Sequence, residues 1–591
     1  MIKILRTSYF LVFSIILISF ITLFPSFSLA LFGDDWLAFF RYRQHVDPGS
    51  GQWNHLTYYL TPYGPQDILM GLLYKIYGFN STLYYLTSYF LRMFAAFSLY
   101  PLVFYLTKNR LSAFFAALFF ALTAIGLDTT NWVFNMPTYV TISLFFLSLY
   151  YFLYAREEKA KSKLPIAALL YYLSYITAPV RMHGSLIFLF FLEFFWFFQN
   201  RDKKTFKSAL IRFSVMFLVF LIVRFAGQSQ GPPNEAGERF LMGITAGLGL
   251  LEQGRFDFIF YPIVMLGGMI LPDLLINNSV VTSYKQILFS IIPIFLGSLI
   301  FISLLLKFTE ETKTLFNKNL TLALAFWTLV TILTAKGNIA TFGNTIHINL
   351  VLIGGYFLVF VIFLLISRFK QKNISSLLFL SLSWTILSFI FAWWWVPNSI
   401  FPTTYRYLIV SGAGIAILLA SLISLPKKQA HQLILLALLL PLILINIVSA
   451  RIYLNQLQMS HNQEISNKIW SSIPNVAEIY TSKEPFIFYF EGDGTNGGTL
   501  HDVITFGFPP HMGLIYDKRQ DDGLPVPISN PQELISTVID GKNMPAYGYK
   551  ARPIDVDRIY AFHLQGSDSL INITELAREK LKQIKKDQGV K

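Results

Sequence analysis

The sequence predicts a polytopic α-helical membrane protein of about thirteen transmembrane helices, at about 20 apolar residues per crossing, followed by a small extracytoplasmic α/β domain. Three observations predict it. The 591 residues are 54% hydrophobic and only 14% charged, with a mean hydropathy of +0.52, where a soluble protein carries roughly a quarter charged residues. Long apolar runs recur between short loops, and alternate loops are rich in Lys and Arg. From Arg451 onward the chain becomes polar and is broken by Gly and Pro turns.

Taken in order, the first apolar segment, Tyr9–Phe32, follows Lys3 and Arg6. Ser28-Leu29-Ala30 has the form of a signal cleavage site. The stretch is longer than the roughly 7–15 residues of a signal core, so it is read as a retained span, with cleavage as the alternative. Crossings are expected at Tyr9–Phe27, Thr82–Thr107, Leu111–Ile125, Met136–Tyr154, Leu164–Pro179, Ser185–Phe198, Phe213–Phe225, Gln286–Leu306, Leu320–Ala335, Ile346–Ile366, Ser375–Trp395, Tyr407–Leu425 and Gln432–Ser449. The 58 Phe and 31 Tyr cluster near the ends of these runs, as interfacial belts do.

Positive charge fixes the sides. Lys3/Arg6, Lys108/Arg110, Arg156/Lys159/Lys161/Lys163, Arg201/Lys203/Lys204/Lys207, Lys307/Lys313/Lys318, Arg368/Lys370/Lys372 and Lys427/Lys428 occupy one set of loops, assigned to the cytoplasm together with the N-terminus. The formal charge of +14 is therefore an orientation signal, and no nucleic-acid partner is expected. Phe258–Leu275 is apolar enough to cross, but a full crossing would move Lys307–Lys318 outside. It is read as a re-entrant or interfacial helix at the outer face, an even number of spans being the alternative. Residues 451–591 then lie outside, with strands expected at Pro485–Glu491, Asp502–Phe506 and Ile559–Leu564 and a helix at Ile573–Lys586.

The outer loops hold the residues capable of chemistry. Gly33-Asp34-Asp35-Trp36 follows directly on the first span. Two adjacent carboxylates at a membrane face repel each other and are costly to desolvate, which a purely structural segment gains little from. The loop 33–81 continues with Arg41, Tyr42, Arg43 and the turn Tyr63-Gly64-Pro65-Gln66, and reads as short interfacial helices. Asp128 is the only charge of Gly126-Leu127-Asp128-Thr129-Thr130-Asn131-Trp132. It is either a turn cap or the third acid of a carboxylate cluster. Arg181 and His183 mark the third outer turn, Lys336 and His347 flank another, and Tyr405-Arg406 open a later span. Cations at span ends commonly snorkel to headgroups; gathered on one face they also suit a phosphate. Arg92 lies near mid-span, where a charge is costly, and is expected to pair with a carboxylate or backbone oxygens or to line a polar cavity.

Other chemistries lack their residues. There is no cysteine, which removes disulfides, thiolate catalysis and cysteine metal sites. No Gly-rich phosphate loop and no H-E-x-x-H pattern occurs. Glu491-Gly-Asp-Gly-Thr-Asn496 lacks the full calcium-loop pattern and reads as a turn.

The acidic motif after the first span, the interfacial helices, the many spans and the outer C-terminal part together resemble the GT-C class of integral-membrane glycosyltransferases, in particular the protein O-mannosyltransferase and lipid A aminoarabinose transferase group. In sequence the resemblance rests on Gly33-Asp34-Asp35-Trp36 and Tyr63-Gly64-Pro65-Gln66. It implies that residues 1–450 form a transmembrane catalytic domain in the cell (plasma) membrane. That domain would take a sugar from a polyprenyl-phosphate donor on the outer face and pass it to a hydroxyl of an envelope glycan, lipid or protein. It implies a first-loop acid at Asp34 or Asp35, a second-loop acid at Asp128, and a phosphate-holding cation at Arg406, or else Arg181 or Lys336, with Trp36, His183, His347 and Tyr405 in the binding site. The Trp-Trp-Asp motif of oligosaccharyltransferases is absent: Trp393-Trp394-Trp395 has no following acid, which argues against modification of N-linked sequons. A carboxylate base, in-line attack and inversion fit these residues. No cofactor is called for; a divalent metal between carboxylates and phosphate is compatible with them, and the sequence does not decide it. The competing readings are a transporter or lipid flippase of envelope precursors, and a non-catalytic envelope scaffold.

Overall fold

The computed structural model describes residues 8–45, 60–157, 161–200, 203–226, 245, 247–273, 315–336, 345–393, 402–492, 504, 507–518, 523–539, 554–566 and 569–587. Its helices, in chain order, are α1 (Ser8–Leu23), α2 (Asp34–His45), α3 (Gly64–Tyr77), α4 (Ser81–Thr107), α5 (Arg110–Leu122), the single turn α6 (Asp128–Asn131), α7 (Pro137–Glu157), α8 (Leu164–Thr177), α9 (Ser185–Asn200) and α10 (Lys203–Ala226). They continue as α11 (Asp257–Ile270), α12 (Leu315–Lys336), α13 (Thr345–Ser367), α14 (Lys372–Trp393), α15 (Leu408–Ser424) and α16 (Gln429–His461). Every expected span that falls within the described residues is a helix. Gln286–Leu306 lies outside them.

Among the described residues six helices are long and apolar enough to cross a membrane: Ser81–Thr107, Val133–Arg156, Pro179–Asn200, Thr205–Phe225, Ile348–Ser367 and Gln429–His461. The chain is that of a multi-pass membrane protein. The segment Phe258–Leu275 is helical over the 14 residues Asp257–Ile270, short of the roughly 20 a crossing needs. It packs along α13, backbone to backbone: a Cβ added at Gly354 would meet the Ile263 carbonyl oxygen at 2.0 Å. Small residues permit this approach between apolar helices.

Three charged side chains inside the helices, Arg92, Glu193 and Arg212, are satisfied locally. Arg92 on α4 is fully buried and donates to backbone oxygens of Ala121 (3.0 Å), Phe120 (3.3 Å) and Thr123, and to the hydroxyls of Thr130 (2.9 Å) and Tyr139 (3.3 Å). These are carbonyls at the C-terminal end of α5, where helix carbonyls lack intrahelical partners. Glu193 on α9 receives both arms of Arg212 on α10, at 2.6 and 2.7 Å. This bidentate pair was not anticipated from the sequence.

The last predicted span extends further than expected. α16 runs for 33 residues to His461, well beyond Ser449, and leads into α17 (Gln463–Ser471). Beyond it come the short α18 (Ala477–Thr481), β1 (Ile487–Gly492), α19 (Phe508–Ile515), β2 (Val526–Ile528), α20 (Pro531–Ile539), β3 (Ile559–Gln565), β4 (Ser569–Asn572) and α21 (Thr574–Asp587). The sheet order is β2-β1-β3-β4, with β1 parallel to β2 and β3 and β4 antiparallel to β3. Alternate residues of β1 enter two cores: Phe488 and Phe490 join one with Phe508 and Phe562, and Ile487 and Tyr489 the other with Val538 and Leu581. A strand buried on both faces is what a helix-covered parallel pair requires. The expected strands at Pro485–Glu491 and Ile559–Leu564 and the terminal helix are present. Asp502–Phe506 falls largely outside the described residues.

This C-terminal unit docks on the first loop. Leu514 and Leu524 share a core with Trp36, Phe39, Phe40 and Met70. Arg43 on α2 pairs with Asp517 and donates to the Leu514 carbonyl at 3.3 Å.

Candidate active site

Three chain segments meet where α2, α6 and the stretch before α15 converge. The first begins at Gly33, whose positive φ of 55° turns the chain so that α2 starts at Asp34. Both carboxylates then sit in the first turn of a helix, where the helix dipole favours anions. They have different surroundings. Asp35 is fully buried and its two oxygens accept the backbone N–H groups of Phe32 (3.2 Å) and Phe134 (2.6 Å). Asp34 is half-buried, within electrostatic reach of Arg406 and Arg41. Burial raises the pKa of Asp34, and the two arginines oppose that rise. Burial also holds Asp35 well above the usual carboxylate range, against its two backbone hydrogen bonds.

The second segment is the turn before α6. Gly126 has φ of 62°, and a Cβ there would come within 2.4 Å of the Ile409 nitrogen, so glycine is required for α15 to approach. Gly126 and Asp128 donate backbone N–H groups to the carbonyls of Thr403 (2.8 Å) and Thr404 (2.9 Å). Thr129 donates its hydroxyl to the Arg406 carbonyl at 2.7 Å. From behind, the Asp273 carboxylate accepts the Thr403 N–H at 2.8 Å. Residues 403–406 are thus held on both sides.

Asp128 accepts the Tyr453 hydroxyl at 2.5 Å and lies within reach of Arg406. Burial pushes its pKa up to about 6, with the Tyr453 bond and the Arg406 charge opposing. The Arg406 guanidinium covers the Trp132 ring at 4.2 Å and lies 5.4 Å from both Tyr405 and Tyr407. Arg181, in the turn before α9, lies 3.5 Å over the Tyr407 ring and donates to the Asn135 side-chain oxygen at 3.0 Å. Its other terminal nitrogen is buried with no hydrogen-bond partner among the described residues. Arg181 and Arg406 are within electrostatic reach of each other. Burial pushes the Tyr405 phenol up to about 12, so it is neutral. The assembled set is two desolvated carboxylates and two arginines on aromatic faces, a combination suited to an anion beside a proton acceptor.

The expected site residues divide accordingly. Asp34, Asp128, Arg181, Tyr405 and Arg406 come together. Asp35 is held as a backbone acceptor. His183 is half-buried in the turn next to Arg181. Trp36 departs from the expectation of a binding residue: its indole is buried, stacked on His511 at 3.8 Å and edge-on to Trp470 at 6.1 Å. The apolar side of α2 carries it into the C-terminal unit. Lys336 and His347 stand at the end of α12 and the start of α13, and their side chains lie outside the described residues.

Sequence reasoning missed Trp132, Asn135, Tyr407 and Tyr453 as members of this cluster. Tyr407 adjoins the Tyr405-Arg406 pair, a legible signal. Tyr453 lies beyond the last predicted span and had none. Asp67, buried in the first turn of α3 and 3.6 Å from Arg41, was also missed. Among the described residues no group of three or more His, Asp or Glu stands together; a divalent cation held by Asp34 or Asp128 would need a substrate phosphate to complete its shell. Arg406 brings positive charge within reach of Asp34 and Asp128.

No family model matches the chain, and no curated protein matches it. Among solved structures it is similar to the oligosaccharyltransferase of Archaeoglobus fulgidus, crystallised with a disulfide-tethered acceptor peptide containing the NVT sequon. The identity is 14% and the TM-score 0.41, over 97% of this chain and 68% of the other. What the site can do is read from its residues.

Proposed function

We propose that the chain is a plasma-membrane glycosyltransferase that moves a sugar from a polyprenyl-phosphate donor to a hydroxyl of an envelope glycan, lipid or protein on the outer face. In this reading the helical part, residues 1–450, crosses the membrane about thirteen times from a cytoplasmic N-terminus, and residues 451–591 lie outside. The observation that carries it is the convergence of Asp34, Asp128, Arg181 and Arg406 from separate chain segments.

Asp34 is the base of this reading, because both oxygens of Asp35 already accept backbone N–H groups. The acceptor O–H gives its proton to the Asp34 carboxylate. Its oxygen attacks the anomeric carbon, and the bond from that carbon to the phosphate oxygen breaks. The lipid phosphate leaves as a stable anion and needs no general acid. Arg406, with Arg181, balances its charge. Attack opposite the leaving group inverts the anomeric centre. Desolvation makes Asp34 a stronger base than a solvated carboxylate, which favours proton transfer near neutral pH.

The test is sugar transfer from labelled polyprenyl-phosphate sugars by the full chain in membranes. Wild type should turn over a donor, and Asp34→Asn should lose about 10²–10⁴-fold at equal protein level. Turnover unchanged by Asp34→Asn would overturn Asp34 as the base, and no turnover of any donor by wild type would overturn the transferase reading in favour of transport or scaffolding.

A further inference from the structure

The turn Tyr63-Gly64-Pro65-Gln66 leads into α3 and sets a buried carboxylate beside an arginine of α2. Tyr63 adopts a left-handed φ of 69° and donates its N–H to the Ile176 carbonyl near the end of α8 at 2.7 Å, which fixes where α3 starts. The Asp67 N–H closes the first turn on the Tyr63 carbonyl at 3.0 Å. Asp67 thus sits in a helical first turn, where an anion is favoured, and is only 1% exposed. Gly71 lies four residues on, on the same side of the helix. A Cβ there would meet Tyr42 Cδ2 at 1.7 Å, so glycine lets this side of α3 lie directly on α2.

Arg41 follows Asp34 on α2 after about two helical turns, and so stands on the same side. Helical side chains lean toward the N-terminus of their own helix, which aims the long Arg41 chain back at Asp34. Asp67 competes for it. The Arg41 Nη2 lies 3.6 Å from Asp67 Oδ2, whereas Asp34 is within its electrostatic reach. The other charges of these two helices are directed elsewhere: Arg43 pairs with Asp517, Lys75 lies 5.5 Å over the Tyr42 ring, and Asp35 accepts two backbone N–H groups. Arg406 reaches Asp34 from a different segment.

A guanidinium closed onto Asp34 would harm a base in two ways. An adjacent cation lowers the proton affinity of a carboxylate. It would also fill the place of the acceptor O–H, which must come within about 2.6–3.2 Å of a carboxylate oxygen. The side chain that prevents this closure lies on another helix, and its backbone is set by the Tyr63-Gly64-Pro65-Gln66 turn.

We propose that Asp67 is a positioning residue of the transfer reaction: it holds the Arg41 guanidinium away from Asp34 and so keeps the Asp34 carboxylate open to the acceptor hydroxyl. The assignment rests on the transferase reading, in which Asp34 is the base. Asp67 touches neither substrate nor Asp34 in this role and acts through Arg41.

The experiment uses the full chain in membranes, with two readouts. One is transfer from labelled polyprenyl-phosphate sugars. The other is the infrared stretch of the Asp34 carboxylate, isolated with isotope-labelled aspartate as the difference between a chain and its Asp34→Asn counterpart. Asp67→Asn should lower kcat about tenfold with donor KM unchanged, and should shift the Asp34 band. Adding Arg41→Gln to it should recover most of the rate and return the band, whereas adding Arg43→Gln should do neither. Asp67→Glu keeps the charge and should keep most of the rate. A loss in Asp67→Asn that Arg41→Gln does not recover, with the band unmoved, would make Asp67 merely structural and overturn the proposal. Arg41→Gln alone alters no buried position and keeps the test open if Asp67→Asn misfolds: it should leave the band in place, and a large shift would mean that Arg41 already closes on Asp34. If wild type turns over no donor, the transferase reading fails by itself, and the band still decides whether Asp67 holds Arg41 off Asp34.

Discussion

The Asp35 carboxylate accepts the Phe134 backbone N–H at 2.6 Å, tying the start of α2 to the turn after α6 across 99 residues of sequence. Its second oxygen takes the Phe32 N–H at 3.2 Å. Two adjacent aspartates of identical chemistry thereby acquire different tasks: one is spent on backbone donors, and the other faces arginine.

That division predicts opposite phenotypes. Asp34→Asn should fold normally, melting within a few degrees of wild type, and lose transfer. Asp35→Asn keeps one acceptor and replaces the other with an amide donor, leaving a buried N–H unpaired at a cost of about 1–3 kcal/mol. Its melting temperature should fall, with any loss of activity following the loss of folded protein. Melting curves and single-turnover rates on both variants check this; an Asp35→Asn protein of wild-type stability would refute the division.

Asp128 gives a prediction with a definite pH sign. Its folded pKa is raised from 3.8 to about 6, so the native state binds this proton more tightly than the unfolded chain does. Its ionisation then costs no stability below pH 3.8, and the cost grows as pH rises from there to about 6 and is constant above. Asp128→Asn retains an acceptor for Tyr453 without the charge. The variant should match wild type in stability at low pH and exceed it above pH 6, while losing transfer because Arg406 is no longer balanced. Denaturation midpoints across that pH range are the measurement.

Arg406 covers the Trp132 face at 4.2 Å, and stacking of this kind requires a planar guanidinium. Arg406→Lys keeps the charge but loses the fork and the stacked plane, so donor affinity should weaken despite conservation of charge. Trp132→Leu should weaken it about 2–30-fold through the lost cation–π contact, with folding retained. Titration of donor binding in the two variants distinguishes this role from mere snorkelling, for which neither substitution would matter.

The helices were legible because apolar run length and loop charge are local properties of the chain, and Asp34, Asp128, Arg181 and Arg406 were legible because charged groups are few in the set of loops poor in Lys and Arg. What escaped was set by packing. The burial of Trp36 against His511 depends on a unit nearly five hundred residues away. Tyr453 reaches Asp128 only because α16 continues past the apolar run, and Glu193 is tolerable only because Arg212 on the next helix faces it. A single-sequence reading assigns residues to loops and spans and contains no information on which side of a short helix meets a distant domain.

His511 joins the two parts of the molecule and provides the last test. Its ring is stacked on Trp36 at 3.8 Å, edge-on to Trp470 at 3.9 Å, and buried with no hydrogen-bond partner for Nδ1 among the described residues. Burial lowers its pKa from 6.5 to about 3. The native state therefore holds it neutral while the unfolded chain protonates it. Stability is complete above pH 6.5 and declines as pH falls from there toward 3. The direction is opposite to that of Asp128 and the pH windows overlap, so the two effects partly cancel in wild type and are separated by the single variants. His511→Phe preserves an aromatic ring against Trp36 and removes the titration. Its advantage over wild type should be absent at pH 7.5 and grow to at most about 3 kcal/mol at pH 4. If wild type and His511→Phe lose stability in parallel between those values, the ring is not held neutral in the folded protein, and Trp36 and Trp470 do not enclose it in solution.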